Sequence, residues 1–160
     1  MIRPATRDDA ARICAIYNPY IDATTITFEE MHVPISDMSV RIENIIQTLP
    51  WLVVEQDGVV VGYANAMPWR TRAAYRYSAE TTIYMDSAAT GKGFGTWLYR
   101  ALLAELIHRG LHRVIGGIAL PNAASIALHQ RLGFKKVAQF SEVGWKFGQW
   151  IDVGFWELAL

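Results

Sequence analysis

Apolar and polar positions follow two rhythms along this 160-residue chain, and their order predicts an architecture. Ile2 to Ala5 reads as a short strand. Ala10, Ile13, Ala15, Ile16 and Tyr17 then recur at helical spacing, with Thr6 as N-cap and Asp8 and Asp9 in the first turn, where carboxylates face the positive end of the helix. Asn18-Pro19 is expected to end that helix. Thr24 to Glu29, β-branched and aromatic, reads as an extended segment. Pro34-Ile35-Ser36 leads into a second helix over 37–47 with Ser36 as its cap. Trp51 to Glu55 and Val59 to Met67 read as strands joined by Gln56-Asp57-Gly58, a hairpin signal.

The second half continues the pattern. A basic loop, Arg70 to Arg76, precedes a strand over 77–85. Three alternating glycines, Gly91, Gly93 and Gly95, open a helix whose apolar positions are Leu98, Leu102, Leu103, Leu106 and Ile107, and Gly110 closes it. Val114 to Ala119 reads as a strand. Asn122 caps a helix that stops at Gly133, Phe134 to Phe140 is a strand, and an aromatic loop over 145–150 feeds a last strand, Val153 to Leu160. No repeat, linker or low-complexity tract interrupts this order. Strand, two helices, three strands, helix, strand, helix and two strands predict one domain over 1–160, an α/β (mixed α+β) sheet flanked by helices.

Composition narrows the class. The chain is 52% hydrophobic with six Trp, enough for a core and too apolar for disorder, and its net charge of zero points to no nucleic-acid surface. The single cysteine, Cys14, falls in the first helix and excludes an intrachain disulfide framework or a multi-cysteine metal site. His32, His108 and His112 have no metal-ligand spacing, so no metal is expected. Trp145, Phe147, Trp150, Phe155 and Trp156 stand among few cations and read as core or dimer surface, not as a base-stacking platform. With no signal segment and no apolar run long enough for a membrane, the expectation is a soluble cytoplasmic protein without membrane or nucleic-acid partners.

The chemistry concentrates in Glu80 to Thr96, a strand that runs through a glycine turn into a helix. Glycines there let peptide N–H groups approach an anion, and the helix that follows adds free donors and its dipole. Lys92 is followed by Gly93, so the pattern is not a P-loop, and the Gly-x-Gly-x-Gly spacing is not a dinucleotide fingerprint. Glu80 stands mid-strand on the face of Ser78, Thr82 and Tyr84. A carboxylate there is either ion-paired across the sheet or, with its pKa raised by partial burial, a proton acceptor near neutral pH. Arg70, Arg72 and Arg76 lie just upstream, where guanidinium forks could hold an acidic substrate.

Strand–(Gln/Arg)-x-x-Gly-x-Gly–helix resembles the coenzyme A signature of the GNAT N-acetyltransferases, with Thr90 at the usual Gln/Arg position. Asn122-Ala-Ala-Ser125-Ile-Ala-Leu-His129-Gln-Arg-Leu-Gly-Phe134 resembles the family's Asn-x-x-Ser-x-x-Leu-(Tyr/His)-x-x-x-Gly-Phe segment. Ile16-Tyr17-Asn18, Thr27-Phe28-Glu29, Ala74-Tyr75-Arg76 and the tail from Gly144 to Trp156 resemble the phosphinothricin acetyltransferase-like branch. The resemblance covers nearly the whole chain. It implies a GNAT fold, a mostly antiparallel sheet of about seven strands with about four helices, and usually a homodimer. It implies acetyl-CoA as cosubstrate, bound by Ile83, Tyr84 and Met85 along the strand, by Gly91, Lys92, Gly93, Phe94, Gly95 and Thr96 at the pyrophosphate, and by Asn122 and Ser125 along the pantetheine. Glu80 is the implied base, and His129 is either hydrogen-bonded to the departing thiolate or packed on the cofactor. The implied amine is the α-amino group of a small glutamate-like molecule (phosphinothricin, arsinothricin, methionine sulfoximine or sulfone) held by Phe28, Glu29, Arg70, Arg72, Ala73, Ala74 and Tyr75. A peptide N-terminus, a polyamine or an aminoglycoside remains a rival substrate, and a non-catalytic acyl-CoA sensor a rival function.

Overall fold

A computed structural model describes residues 1–160. Seven strands form one sheet: β1 (Ile2–Pro4), β2 (Trp51–Gln56), β3 (Val59–Pro68), β4 (Ser78–Met85), β5 (Arg113–Ala119), β6 (Lys135–Lys146) and β7 (Gln149–Ala159), in the order β1-β2-β3-β4-β5-β7-β6. Every neighbouring pair is antiparallel except β4 with β5. Helices α1 (Ala10–Ala23) and α2 (Ile35–Ile46) cover one face, on which Trp51, Val53 and Tyr63 are buried. Helix α3 (Phe94–His108) covers the other, where Leu98, Leu102 and Leu106 pack on Leu52, Val54, Ala64, Ala79 and Trp156. Helix α4 (Ala123–Arg131) follows β5. No helix is long and apolar enough to cross a membrane.

The predicted element order holds, and the departures have local causes. Helix α1 does not end at Asn18-Pro19 but continues to Ala23. Side chains on either side of the proline hold it: Asn18 exchanges two hydrogen bonds with the Val33 backbone, the Tyr20 hydroxyl donates to the Met85 carbonyl at 2.6 Å, and Ile21 is buried. Tertiary contacts outweigh the lost helical hydrogen bond. Ala15 is exposed, and Cys14 takes its expected place in the buried stripe. Helix α2 starts two residues early with Pro34 at its N-cap, while the Ser36 hydroxyl donates to Asp37 instead of capping. The segment over 24–29 is non-helical but pairs with no strand. Ile107 faces solvent.

The largest difference lies at residues 145–150. They form no loop: β6 and β7 run through them, with Trp145 paired to Trp150 and their rings 4.8 Å apart. The turn is Phe147-Gly148, both with positive φ, the geometry of a two-residue hairpin. Cross-strand aromatic pairing supplies the stabilisation that lets a phenylalanine hold a conformation usually left to glycine or asparagine.

Candidate active site

Strands β4 and β5 pair only at Ser78–Glu80 with Arg113–Ile115 and then separate. The ladder fixes which peptide groups face the resulting gap. Trp69 N–H donates to the Ser78 carbonyl and Asp86 N–H to that of Val61, so even-numbered residues of β4 hydrogen-bond to β3. The peptide groups of Ile83 and Met85 therefore point toward β5, and the peptide groups of Tyr84 toward β3. On the other lip, Leu120 N–H donates to Asp152, which turns the peptides of Gly117 and Ala119 into the gap. The Met85 carbonyl already accepts from Tyr20. The cleft is lined by Ile26, Thr81, Thr82, Ile83, Tyr84, Gly117, Ile118, Ala119, Asn122, Ser125 and His129.

At the end of β4 the chain makes a tight turn over Ser87–Ala89, begun by Asp86, whose carboxylate accepts from Ala88 N–H and is ion-paired to Arg12 of α1. Gly91 and Gly93 have φ of 75° and 84°, which only glycine adopts without strain, and Gly93 caps α3. The first helical bond is from Trp97 N–H to the Gly93 carbonyl, leaving the N–H groups of Phe94, Gly95 and Thr96 free. Thr90 turns its hydroxyl back to the Ser87 carbonyl at 2.9 Å. Asn122 caps α4 by accepting from Ser125 N–H, an acceptor role that leaves its amide donors free.

His129 is 4% exposed. Its Nδ1 lies 2.8 Å from the Ser125 carbonyl, which can only accept, so Nδ1 carries the proton. Nε2 is 3.1 Å from the Tyr99 hydroxyl, which in turn lies 2.6 Å from the Thr81 hydroxyl. Burial holds the imidazole below its usual pKa, in the neutral form. Both ring nitrogens are engaged, and a Cβ at Gly116 would come within 2.5 Å of Nε2.

Glu80 is half-buried on the α1/α2 face of the sheet, in register with Met67 and Ile115, and enters none of the ion pairs. Desolvation raises its pKa above the usual carboxylate value, partly opposed by the charge of Arg70. Gly117 makes room for it: a Cβ there would lie 3.3 Å from the Glu80 Oε1 and 3.2 Å from the Phe155 ring. Phe155 meets Trp69 and Phe140 edge to face, an aromatic wall beside the carboxylate.

Two cavities reach β4 close to Glu80, one at Thr82 and Tyr84 and one at Ser78. One, about 550 Å³ between α1, α2 and β2 to β4, is lined by Thr82, Met67, Asn65, Tyr63, Tyr17, Tyr84, Trp51, Glu29 and Arg41 among others. The other, about 570 Å³, is lined by Ser78, Pro68, Arg70, Thr71, Arg72, Ala73, Arg76 and Arg109 among others. The expected substrate residues are thus divided. Glu29 belongs to the first cavity, Arg70, Arg72 and Ala73 to the second, and Ala74 and Tyr75 line neither. The Arg70 guanidinium lies 3.9 Å from the Trp69 ring centre. Phe28 lies against Gly144, where no side chain would fit, and Lys146, 1% exposed, donates to the Thr27 carbonyl at 2.9 Å. The C-terminal hairpin thereby anchors the segment that carries Phe28 and Glu29. Arg41, Asn65, Gly117 and Lys146 were not singled out from sequence. Only the Gly116-Gly117 pair inside a strand gave a signal there, since strand glycines mark close approach.

The family model for the acetyltransferase (GNAT) domain matches residues 2–154. The phosphinothricin N-acetyltransferase of Streptomyces viridochromogenes is 38% identical over 98% of this chain and 85% of its own. The L-methionine sulfoximine/L-methionine sulfone acetyltransferase of Salmonella typhimurium is 39% identical over 99% of this chain and 94% of its own. Among solved structures, a putative acetyltransferase from Salmonella typhimurium with its cofactor acetyl-CoA superimposes with a TM-score of 0.97 at 38% identity, covering 100% of this chain and 93% of that one. A phosphinothricin acetyltransferase from Sinorhizobium meliloti in complex with acetyl-CoA gives 0.96 at 33% identity, covering 100% and 88%. With its splayed strands, glycine turn and full-length match, the chain belongs to the GNAT acetyltransferase family.

Proposed function

We propose that this protein acetylates the α-amino group of a small amino acid with an oxygen-rich side chain, the class of glutamate, phosphinothricin and methionine sulfone, using acetyl-CoA and Glu80 as the base. The observation that carries the reading is a half-buried carboxylate free of ion pairs, close to the β4–β5 cleft and to two cavities that carry charged side chains, Glu29 and Arg41 in one and Arg70 and Arg72 in the other. Acetyl-CoA, when bound, supplies an acyl group activated as a thioester.

The residues present fit such a molecule. Peptide groups of Ile83 and Met85 can take an extended pantetheine arm as an added strand, and those of Gly117 and Ala119 face it from the other lip. Free N–H groups at Phe94 to Thr96, together with the turn at Gly91 to Gly93, suit the pyrophosphate. Met85 N–H or Ile83 N–H is placed to polarise a thioester carbonyl, whereas Tyr84 N–H is engaged by β3. An α-ammonium must lose a proton before its nitrogen can attack. Glu80, its pKa raised by burial, takes that proton directly or through one water. Arg70 and Arg72 border the second cavity and suit an α-carboxylate. His129, neutral and engaged at both nitrogens, fits packing under the cleft better than protonating a thiolate. A homodimer is proposed as well, because β6 is a long edge strand with Val137, Phe140, Val143 and Trp145 exposed, as is Phe147 in the turn that follows it.

Acetyl-CoA-dependent thiol release with methionine sulfone, methionine sulfoximine, phosphinothricin, arsinothricin, glutamate, spermidine and a short peptide tests the reading. Release confined to the amino acids is expected. Release with spermidine or peptide alone overturns the substrate class, and binding of acetyl-CoA without any release favours a sensor. A sizing measurement tests the dimer.

A further inference from the structure

The cavity beside Thr82 contains one cation and one anion, and they are locked together. Arg41 of α2 donates from both terminal nitrogens to Glu29, at 2.5 and 3.1 Å. The fork that would grip an acidic ligand is therefore occupied by the protein's own carboxylate. The rest of the lining is uncharged: Met38, Ile45 and Met67 are apolar, and a few polar groups stand among them. Asn65 is buried, Thr82 lies two residues from Glu80 on the same face, and Trp51 has a buried indole N–H with no partner. Aromatic walls from Tyr17, Tyr63 and Tyr84 limit how well water can screen whatever enters. The cavity offers donors without net charge.

Its position identifies the part of the substrate it would receive. Glu80 and Thr82 lie on one face of β4, and Met67, paired with Glu80, also lines this cavity, whereas the arginine-lined cavity opens toward Leu49, Leu111 and Arg109 at the end of α3. An amino acid whose amine meets Glu80 and whose α-carboxylate meets Arg70 directs its side chain toward Thr82 and Asn65. This assignment rests on the function proposed above.

We infer that the Glu29–Arg41 pair is a charge filter on the substrate side chain: it admits uncharged, oxygen-bearing groups such as a sulfone or sulfoximine and disfavours anionic ones such as a carboxylate or phosphinate. A neutral sulfone oxygen accepts from Asn65 or Thr82 without disturbing the pair. An anionic group must either displace Glu29 from Arg41 or lie beside its carboxylate, and both are unfavourable even for a pair whose side chains are 44% and 35% exposed. Removing Glu29 frees Arg41 and inverts the preference. Removing Arg41 leaves Glu29 alone and sharpens it.

The test compares methionine sulfone with glutamate in the wild-type protein, Glu29→Gln, Arg41→Gln and the double variant. The ratio of kcat/KM for sulfone over glutamate is expected above one in the wild type. It should fall about tenfold or more in Glu29→Gln, mostly through KM, rise in Arg41→Gln, and return toward the wild-type value in the double variant. Calorimetric binding of the same two amino acids with coenzyme A present reads the ratio without turnover. A ratio that stays within twofold in both single variants, by kinetics or by binding, overturns the filter. Absence of turnover while the binding ratio shifts as expected supports the filter and overturns only the catalytic reading.

Discussion

The two halves of the candidate site are built from different material. The β4–β5 cleft is a backbone site, formed by peptide groups of Ile83, Met85, Gly117 and Ala119 and by the free N–H groups at the start of α3. The cavities near Glu80 are side-chain sites, one assembled from α1, α2, the segment after α1 and three strands, the other from the loop before β4 and the chain after α2 and after α3. A backbone site tolerates side-chain change as long as φ and ψ are kept. A side-chain site can be retuned by one substitution without moving the fold. This difference suits a cleft that meets one constant ligand beside cavities that set which amine is accepted.

The sharpest separation of the halves is at Glu80. Glu80→Gln keeps the shape and removes the proposed proton acceptor, so kcat is expected to fall by about 10²–10⁴-fold, while the dissociation constant for acetyl-CoA changes less than twofold. Because the folded-state pKa of Glu80 is raised, the carboxylate is lost as pH falls at higher pH than for a free glutamate. Wild-type kcat/KM should therefore decline on an acid limb above the usual carboxylate range, and that limb should vanish in the variant. An unchanged kcat or an identical limb in the variant would remove Glu80 from the base role.

Adjacent glycines of β5 make the next comparison, since they face opposite sides of the sheet. A Cβ at Gly117 presses on Glu80 and Phe155, each by only a few tenths of an ångström. Gly117→Ala is expected to lower kcat about tenfold through misplacement of the base, with little change in thermal midpoint. A Cβ at Gly116 meets His129 within 2.5 Å, in a core with no room to give. Gly116→Ala is expected to cost ~1–3 kcal/mol of stability, seen as a lowered midpoint, while kcat of the folded fraction holds. The same loss in both variants would contradict the division of the two faces. At the far end of the cleft, Gly93→Ala must hold φ near +84° against a cost of about 1 kcal/mol. That predicts roughly a fivefold rise in KM for acetyl-CoA and none for the amine.

The same contrast explains what could be read from sequence. The backbone site was legible because its requirements are local: alternating glycines before an amphipathic helix and an Asn-capped helix before Gly133 each carry their geometry in consecutive residues. Element order was legible for the same reason. Asn65, Arg41 and Glu29 meet only because α2 crosses β3 and the segment after α1, and no spacing along the chain encodes that crossing. Pro19 inside α1 and the Trp145–Trp150 pair were misjudged because tertiary and cross-strand contacts overrode local preference. The arginine loop was visible as a cluster of like charge. Its placement in a different cavity from Glu29 was not.

Lys146 gives the smallest and most discriminating prediction. It is 119 positions from Thr27 in sequence, yet its ammonium, 1% exposed, donates to the Thr27 carbonyl, and the nearby Gly144 receives the Phe28 ring. Burial lowers its pKa, while Glu30 and Asp22 favour the charged form. Lys146→Met preserves the aliphatic stem and leaves the Thr27 carbonyl without its donor, a loss of about 1–3 kcal/mol. The segment carrying Glu29 then loses its tie to the C-terminal hairpin, whereas the turn after β4 keeps its own, the Asp86 carboxylate bound to Arg12 and to Ala88 N–H. KM for the amino acid is expected to rise about threefold with KM for acetyl-CoA unchanged. A parallel rise in both would mean that the hairpin supports the whole fold and has no selective hold on the side-chain half of the site.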